Sequence, residues 1–304
     1  MSQVKFTVFS DLHHHPAWFK ADGPERLEAI LARAEKDNSD FIIQLGDLCH
    51  QCATSQELIE RYNNFKIKSY HVLGNHEFDL NTYEQTLQAY KMNNGYYSFD
   101  LNGFRFIVLD ENYFSDFPGL CFHYSERNYF DHPRGRDWLN REQIDWFRQT
   151  VFDSPYPCIT FSHSTLEFAN GMIKPHDELQ DIIKQSQTMP GRVFMCLNGH
   201  YHRDNLNIVD NVAYFSVNSA SSEWIGTPHY LYPAEWYKTY EEVGNQIIFE
   251  KALCATVTID SEKHTVDIIG TESGFVNGIT REMTNNAPCD PPCTPDIKDR
   301  HFTF

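Results

Sequence analysis

The chain has 304 residues, enough for one large domain or two small ones, and its 41% hydrophobic and 22% charged residues describe an ordinary globular protein with ample core. A net charge of −17 argues against a general nucleic-acid binder, because that affinity rests on Lys and Arg neutralising phosphates. No apolar run approaches the roughly 18 residues of a membrane span, and Val4–Phe9 is too short for a secretory signal, so a cytoplasmic protein with no membrane partner is expected.

The first half alternates strand and helix. Val4–Phe9 reads as a strand, and residues 24–36 place Leu27, Ile30, Leu31 and Ala34 at helical spacing behind Gly23 and Pro24. Phe41–Leu45 is a second strand. Thr54 and Glu57 read as a capping box for a helix carrying Leu58, Ile59 and Tyr62, and Ser69–Leu73 is a third strand. That order predicts parallel pairing with helical crossovers. Asn102-Gly103 then predicts a tight hairpin between residues 96–101 and 104–110. Asn140 and Gln143 open a helix carrying Ile144, Trp146, Phe147 and Val151. Cys158–Phe161 is a strand, His176–Ser186 a helix, and residues 193–197, 206–210 and 212–217 are strands, the last two turning at Asp210 and Asn211. Residues 255–260 and 264–270 form a closing hairpin.

Three stretches fit no regular element. Residues 111–136 and 223–250 are too aromatic for disorder and read as ordered insertions covering a site; residues 271–304 are a polar, Pro-rich tail. The expected layout is one catalytic domain over residues 1–270 with the tail packed on or near it. Cys158 and Cys196 read as small buried hydrophobes. Cys49-x-x-Cys52 has no second half that would make it a metal site, and Cys289 and Cys293 are close enough in sequence to pair.

Five polar clusters directly follow apolar runs: Asp11 with His13, Gly46-Asp47, Gly74-Asn75-His76-Glu77, Ser162-His163, and Gly199-His200-Tyr201-His202. Taken singly, Asp11 and Asp47 read as caps and His163 as a core histidine. Together they place Asp, Asn and His donors at the carboxyl ends of buried strands, which a two-metal hydrolytic site requires.

The blocks D-x-H, G-D, G-N-H-E, a lone His and G-H-x-H, in that order over residues 6–202, resemble the signature of calcineurin-like metallophosphoesterases. The resemblance implies an α/β fold (α+β by some schemes), a four-layer αββα sandwich of two mixed β-sheets flanked by helices, with the metal site at the carboxyl ends of the strands. It implies a metal-dependent phosphoesterase that hydrolyses a phosphodiester, phosphomonoester or nucleotide diphosphate bond by a metal-bridging hydroxide. Two divalent or Fe-, Mn- or Zn-type ions would be the cofactors. Asp11, His13 and His202 would hold the first, Asn75, His163 and His200 the second, and Asp47 would bridge them. His76 would protonate the leaving oxygen, and Glu77 would support its loop. His50, Tyr201 and Arg203 are expected to touch substrate, and Arg127, Arg134, Arg136 and His123 to offer charge for a phosphate. The partner implied is a small phosphorylated molecule, nucleotides included. Leu139, Gln143 and Trp146 resemble a helix of the cyclic-nucleotide phosphodiesterase and ADP-ribose diphosphatase-like branch. A non-catalytic metal-binding scaffold of the same fold and a nuclease are the alternatives. The full ligand set argues against the first and the acidic balance against the second.

Overall fold

A computed structural model describes residues 3–20, 22–117, 120–167 and 173–304. In chain order the elements are β1 (Gln3–Phe9), α1 (Gly23–Lys36), β2 (Phe41–Leu45), α2 (Gln56–Asn63), β3 (Lys68–Val72), α3 (Tyr83–Tyr90), β4 (Tyr97–Leu101), β5 (Phe104–Val108), β6 (Tyr113–Phe117) and β7 (Leu120–His123). They continue with α4 (Arg141–Phe152), β8 (Cys158–Ser162), α5 (His176–Ser186), β9 (Val193–Asn198), β10 (Asn205–Val209), β11 (Val212–Ser216), β12 (Ser222–Trp224) and α6 (Trp236–Thr239). The last are β13 (Gln246–Ile248), β14 (Ala255–Asp260), β15 (Thr265–Ile269) and β16 (Arg300–Thr303).

Two six-stranded mixed sheets carry the fold, in the orders β16-β15-β14-β1-β2-β3 and β10-β11-β9-β8-β5-β4. Each contains a parallel run: β1, β2 and the edge strand β3 in one, the central β5, β8, β9 and β11 in the other. The inner strands of these runs are covered on both faces, so both side-chain parities are apolar. Phe41, Ile43 and Leu45 of β2 and Phe104, Phe106 and Val108 of β5 point into the space between the sheets. Phe6 bridges that space, stacking on Phe41 at 4.8 Å and meeting Phe106 and Phe161 edge-on at 6.0 and 5.7 Å. The opposite parity meets helices. Phe9 and Ile42 pack on Leu27, Ile30 and Leu31 of α1 and Ile59 of α2, while Ile107, Cys158 and Val193 pack on Phe147 of α4 and Ile182 of α5. The result is the four-layer αββα sandwich. Among the described residues no helix is long and apolar enough to cross a membrane.

Several local expectations change. The helix after β2 is capped by Ser55, without a side-chain cap bond; Thr54 bonds back to the Gln51 carbonyl at 3.3 Å instead. A capping box does form at Thr82 and Gln85, opening α3, a helix that sequence periodicity passed over. Residues 111–136 contain a hairpin, β6 with β7, and residues 223–250 contain β13, which pairs with β12; residues 118–119 lie outside the described residues. The tail adds β16 to the edge of the first sheet. All eight cysteines are free, so Cys289 and Cys293 do not pair.

Candidate metal centre

The parallel pairing of β1 with β2 continues past the strands as a zipper of loops. Asp11 N donates to the Gly46 carbonyl (3.0 Å), His13 N to the Asp47 carbonyl (2.8 Å) and His14 N to the Leu48 carbonyl (3.0 Å). The chain turns sharply here and in the loop after β9: Asp11, His13, Asp47, His200 and His202 all have φ between 51° and 68°. That left-handed conformation costs an L-residue on the order of 1–2 kcal/mol, and its concentration after the carboxyl ends of strands from both sheets marks a built site. Gly46, at φ 97°, and Gly74 let two of these loops approach; a Cβ on Gly46 would lie 2.8 Å from the Gly74 backbone.

The imidazoles are oriented by what they do with Nδ1. His163 donates it to the Leu45 carbonyl (2.8 Å) and His202 to the Ser222 carbonyl (2.7 Å), so each turns Nε2 inward. His202 Nε2 then lies 3.2 Å from Asp11 Oδ1 and 3.0 Å from His13 Nε2. His163 Nε2 lies 3.0 Å from Asp47 Oδ2 and 3.1 Å from His200 Nδ1. Asp47 lies between these groups, its Oδ2 also 3.8 Å from His13 Nε2. In each of the sets Asp11–His13–His202 and Asp47–His163–His200, one donor atom per residue lies within 4.8 Å of the others.

These residues fit metal ions. Imidazole nitrogens crowd one another and carboxylate oxygens at 3.0 to 3.8 Å, a donor set suited to borderline cations. Against the effect of burial, Asp47 and Asp11 hold His163 above the usual imidazole range, a proton that a cation would displace. Asp11 Oδ1 and Asn75 Oδ1 are buried without a hydrogen-bond partner, a burial that costs about 1–3 kcal/mol per group unless a cation meets it. Burial, aided by the neighbouring His163, pushes His200 down to about 3, and burial likewise lowers His13, so both are the neutral imidazoles a metal needs. Burial alone would raise the Asp47 carboxyl, but His163 and His76 outweigh it and hold it far below the usual range. Burial opposes the charge on His76, yet Asp79 and Asp47 raise it to about 9.

Glu77 is fully buried and its carboxylate accepts the backbone N–H of Asp47 (2.9 Å), Leu48 (2.6 Å) and Gly74 (2.7 Å), binding two of the loops together. Burial and then Asp47 raise it to about 7.

A cavity of about 270 Å³ opens over this centre, lined by His13, Asp47, Asn75, His76, His200 and His202 below and by Tyr129, Phe130, Arg136 and Trp224 around. Phe130 and Trp224 are 51% and 39% exposed, large rings left in solvent at the mouth. Arg136 stands over both Tyr129 and Phe130, 4.9 and 5.1 Å from the ring centres. Arg127 covers Trp18 at 4.8 Å.

Asp11, His13, Asp47, Asn75, His76, His163, His200 and His202 therefore meet at one place. Of the residues expected to meet substrate, Arg136 lines the cavity, whereas His50, Arg203, Tyr201 and His123 do not. His50 is buried behind His13, with Nε2 2.9 Å from His13 Nδ1 and Nδ1 2.7 Å from Asp79. Arg203 is locked into a buried ion pair with Glu223, which also takes Arg281, and donates to the His202 carbonyl at 2.7 Å. Tyr201 lies with Arg203 in a separate pocket beside Asn205 and Pro291. His123 is spent on Asp110 at 3.1 Å. Asp79, Phe130 and Trp224 enter unforeseen as single residues. Asp79, three residues after His76 on a helical turn, is the one that spacing could have flagged.

A family model described as calcineurin-like phosphoesterase matches residues 4–204. No curated protein matches the chain. Among solved structures, a dimetal phosphatase from Danio rerio is 13% identical, with a TM-score of 0.61 over 90% of this chain and 98% of that one. GAP50, described as the anchor in the inner membrane complex of Plasmodium, is 12% identical, with a TM-score of 0.50 over 86% of each chain. These likenesses agree with the sandwich described above, and the family match spans the five polar clusters and the strands that carry them. The chain belongs to the calcineurin-like phosphoesterase family and is a metal-dependent hydrolase of phosphoester bonds.

Proposed function

We propose that the chain hydrolyses small phosphodiesters or diphosphates of nucleotide type in the cavity over the Asp and His cluster. One observation carries this reading: the convergent donor set and a ring-lined mouth with a cationic side chain bound the same 270 Å³ space. Asp11, His13 and His202 would hold one cation, Asn75, His163 and His200 a second, with Asp47 between them. Bound there, such ions supply Lewis acidity at the phosphoryl oxygens and lower the pKa of an attacking water.

The chain supplies the rest. His76 fixes Nδ1 against Asp79 at 2.7 Å, which leaves Nε2 for the cavity it lines. As the water oxygen bonds to phosphorus and the ester P–O bond breaks, His76 gives its Nε2 proton to the leaving oxygen. Asp79 and Asp47 favour the protonated form that this requires. Arg136 faces a second anionic group, and Phe130 and Trp224 offer faces for a base. Stacking of that kind is worth about 1–3 kcal/mol per base.

The test compares thymidine 5′-(p-nitrophenyl phosphate), bis(p-nitrophenyl) phosphate and p-nitrophenyl phosphate with Mn²⁺ present and bound metal quantified. The thymidine ester should have the highest kcat/KM. Phe130→Ala and Trp224→Ala should raise its KM roughly 5- to 100-fold with little change in kcat. Equal kcat/KM for all three esters would overturn the nucleotide reading. No hydrolysis with two metals bound would overturn the assigned reaction.

A further inference from the structure

Asp79 is 2% exposed and takes three donors on one carboxylate. His50 Nδ1 and His76 Nδ1 both reach its Oδ2 at 2.7 Å, and the Tyr129 hydroxyl reaches Oδ1 at 2.6 Å. Behind this lies the second contact of His50, whose Nε2 is 2.9 Å from His13 Nδ1.

With His50 neutral, the contacts along this line leave one arrangement of hydrogens. An ionised carboxylate only accepts, so the Nδ1 atoms facing Asp79 carry hydrogens. A neutral His50 with its proton on Nδ1 has a lone pair on Nε2 and must accept there. His13 therefore carries its proton on Nδ1, and its Nε2 lone pair faces the Asp11, Asp47 and His202 atoms at 3.7, 3.8 and 3.0 Å. His163 and His202 reach the same state by donating Nδ1–H to backbone carbonyls. At His13 the pair Asp79–His50 takes the place of that carbonyl.

We propose that Asp79 is a positioning residue that sets the tautomer of His13 through His50 and orients His76 with the same oxygen. One carboxylate thus couples readiness of a cation site to readiness of the proton donor. Tyr129, which also accepts from the Asn75 amide at 3.3 Å, ties residues 111–136 to that carboxylate. The inference rests on the ligand set proposed above.

Long-range ¹H–¹⁵N spectra of the metal-free protein, labelled in its imidazoles, read the tautomers directly. His13 and His50 should both be protonated on Nδ1; either ring protonated on Nε2 instead would overturn the relay. Asp79→Asn offers a single acceptor to three donors and an amide N–H to His50. In it both rings should move to the Nε2–H form, and Mn²⁺ affinity at one of two sites should fall 10- to 100-fold by calorimetry. Unchanged tautomers and affinity in this variant would also overturn the relay. Tyr129→Phe and His76→Ala should keep both tautomers, and His76→Ala should keep Mn²⁺ affinity; loss of either would show that general disruption of the site, not Asp79, sets them. None of these measurements needs turnover. An inactive protein with the expected tautomers would count against the proposed function and leave the relay standing.

Discussion

Asp47 and His76 are neighbours with separable tasks, since the His76 backbone N–H donates to Asp47 Oδ1 at 2.8 Å while its ring turns to Asp79. Asp47→Ala removes the group between the two donor sets. It should abolish paired metal binding, measured by elemental analysis of the purified protein, and with it the activity. His76→Ala should keep both metals and lose about 10²- to 10⁴-fold in kcat, the usual contribution of a positioned proton donor. A His76→Ala enzyme at full rate would remove His76 from the reaction. At this scale residue identity and spacing were legible for the eight members of the centre, because D-x-H, G-N-H and G-H-x-H each put several donors on one short turn. His50 was misread as a substrate contact because sequence cannot say which side of a candidate ligand a neighbour occupies. Only Asp79, arriving from a different loop, draws it inward.

The loops owe their shape to the elements that end there. Gly46 and Gly103 both have positive φ, 97° and 83°, but a Cβ on Gly46 would meet the Gly74 backbone at 2.8 Å, whereas Gly103 has nothing within 4 Å. Gly103→Ala should therefore cost only about 1 kcal/mol, the conformational penalty of an L-residue there. Gly46→Ala adds a steric clash against backbone and should cost about 2–4 kcal/mol, with weakened Mn²⁺ binding. Paired urea titrations separate the two, and equal losses would contradict the close approach at Gly46. The strands were readable because burial on both faces leaves unbroken apolar runs such as Phe41–Leu45. The hairpin β6–β7 and helix α3 were not. Their apolar residues are few or exposed, as Leu120 and Phe122 show, and tertiary contacts hold them.

Across the molecule, Glu223 joins the tail to the centre. It is fully buried and takes Arg203, which follows the candidate ligand His202, together with Arg281 from beyond residue 270. Glu223→Ala would strand two largely buried guanidinium groups and should cost about 3–5 kcal/mol in chemical denaturation; a loss below 1 kcal/mol would mean the pairs are solvated. Cation binding should stabilise the whole fold, because the proposed ligands come from both sheets. Mn²⁺ at 100 times its Kd should add about 2.7 kcal/mol per site, seen as a rise in Tm that chelation reverses. A Tm indifferent to Mn²⁺ would argue against metal at this centre.

By itself the sequence determined the strand–helix alternation, the five donor clusters and their common position after buried strands. These are local properties, set by periodicity and by polar residues where an apolar run stops. Tertiary structure alone decided the rest: that Glu77 clamps two loops, that Asp79 gathers His50, His76 and Tyr129, that Arg203 is neutralised by Glu223, and that Phe130, Arg136 and Trp224 wall the cavity. Each of these joins residues distant in sequence or turned by a loop. The backbone pattern constrains where a side chain starts, while only packing settles which way it faces and what it meets.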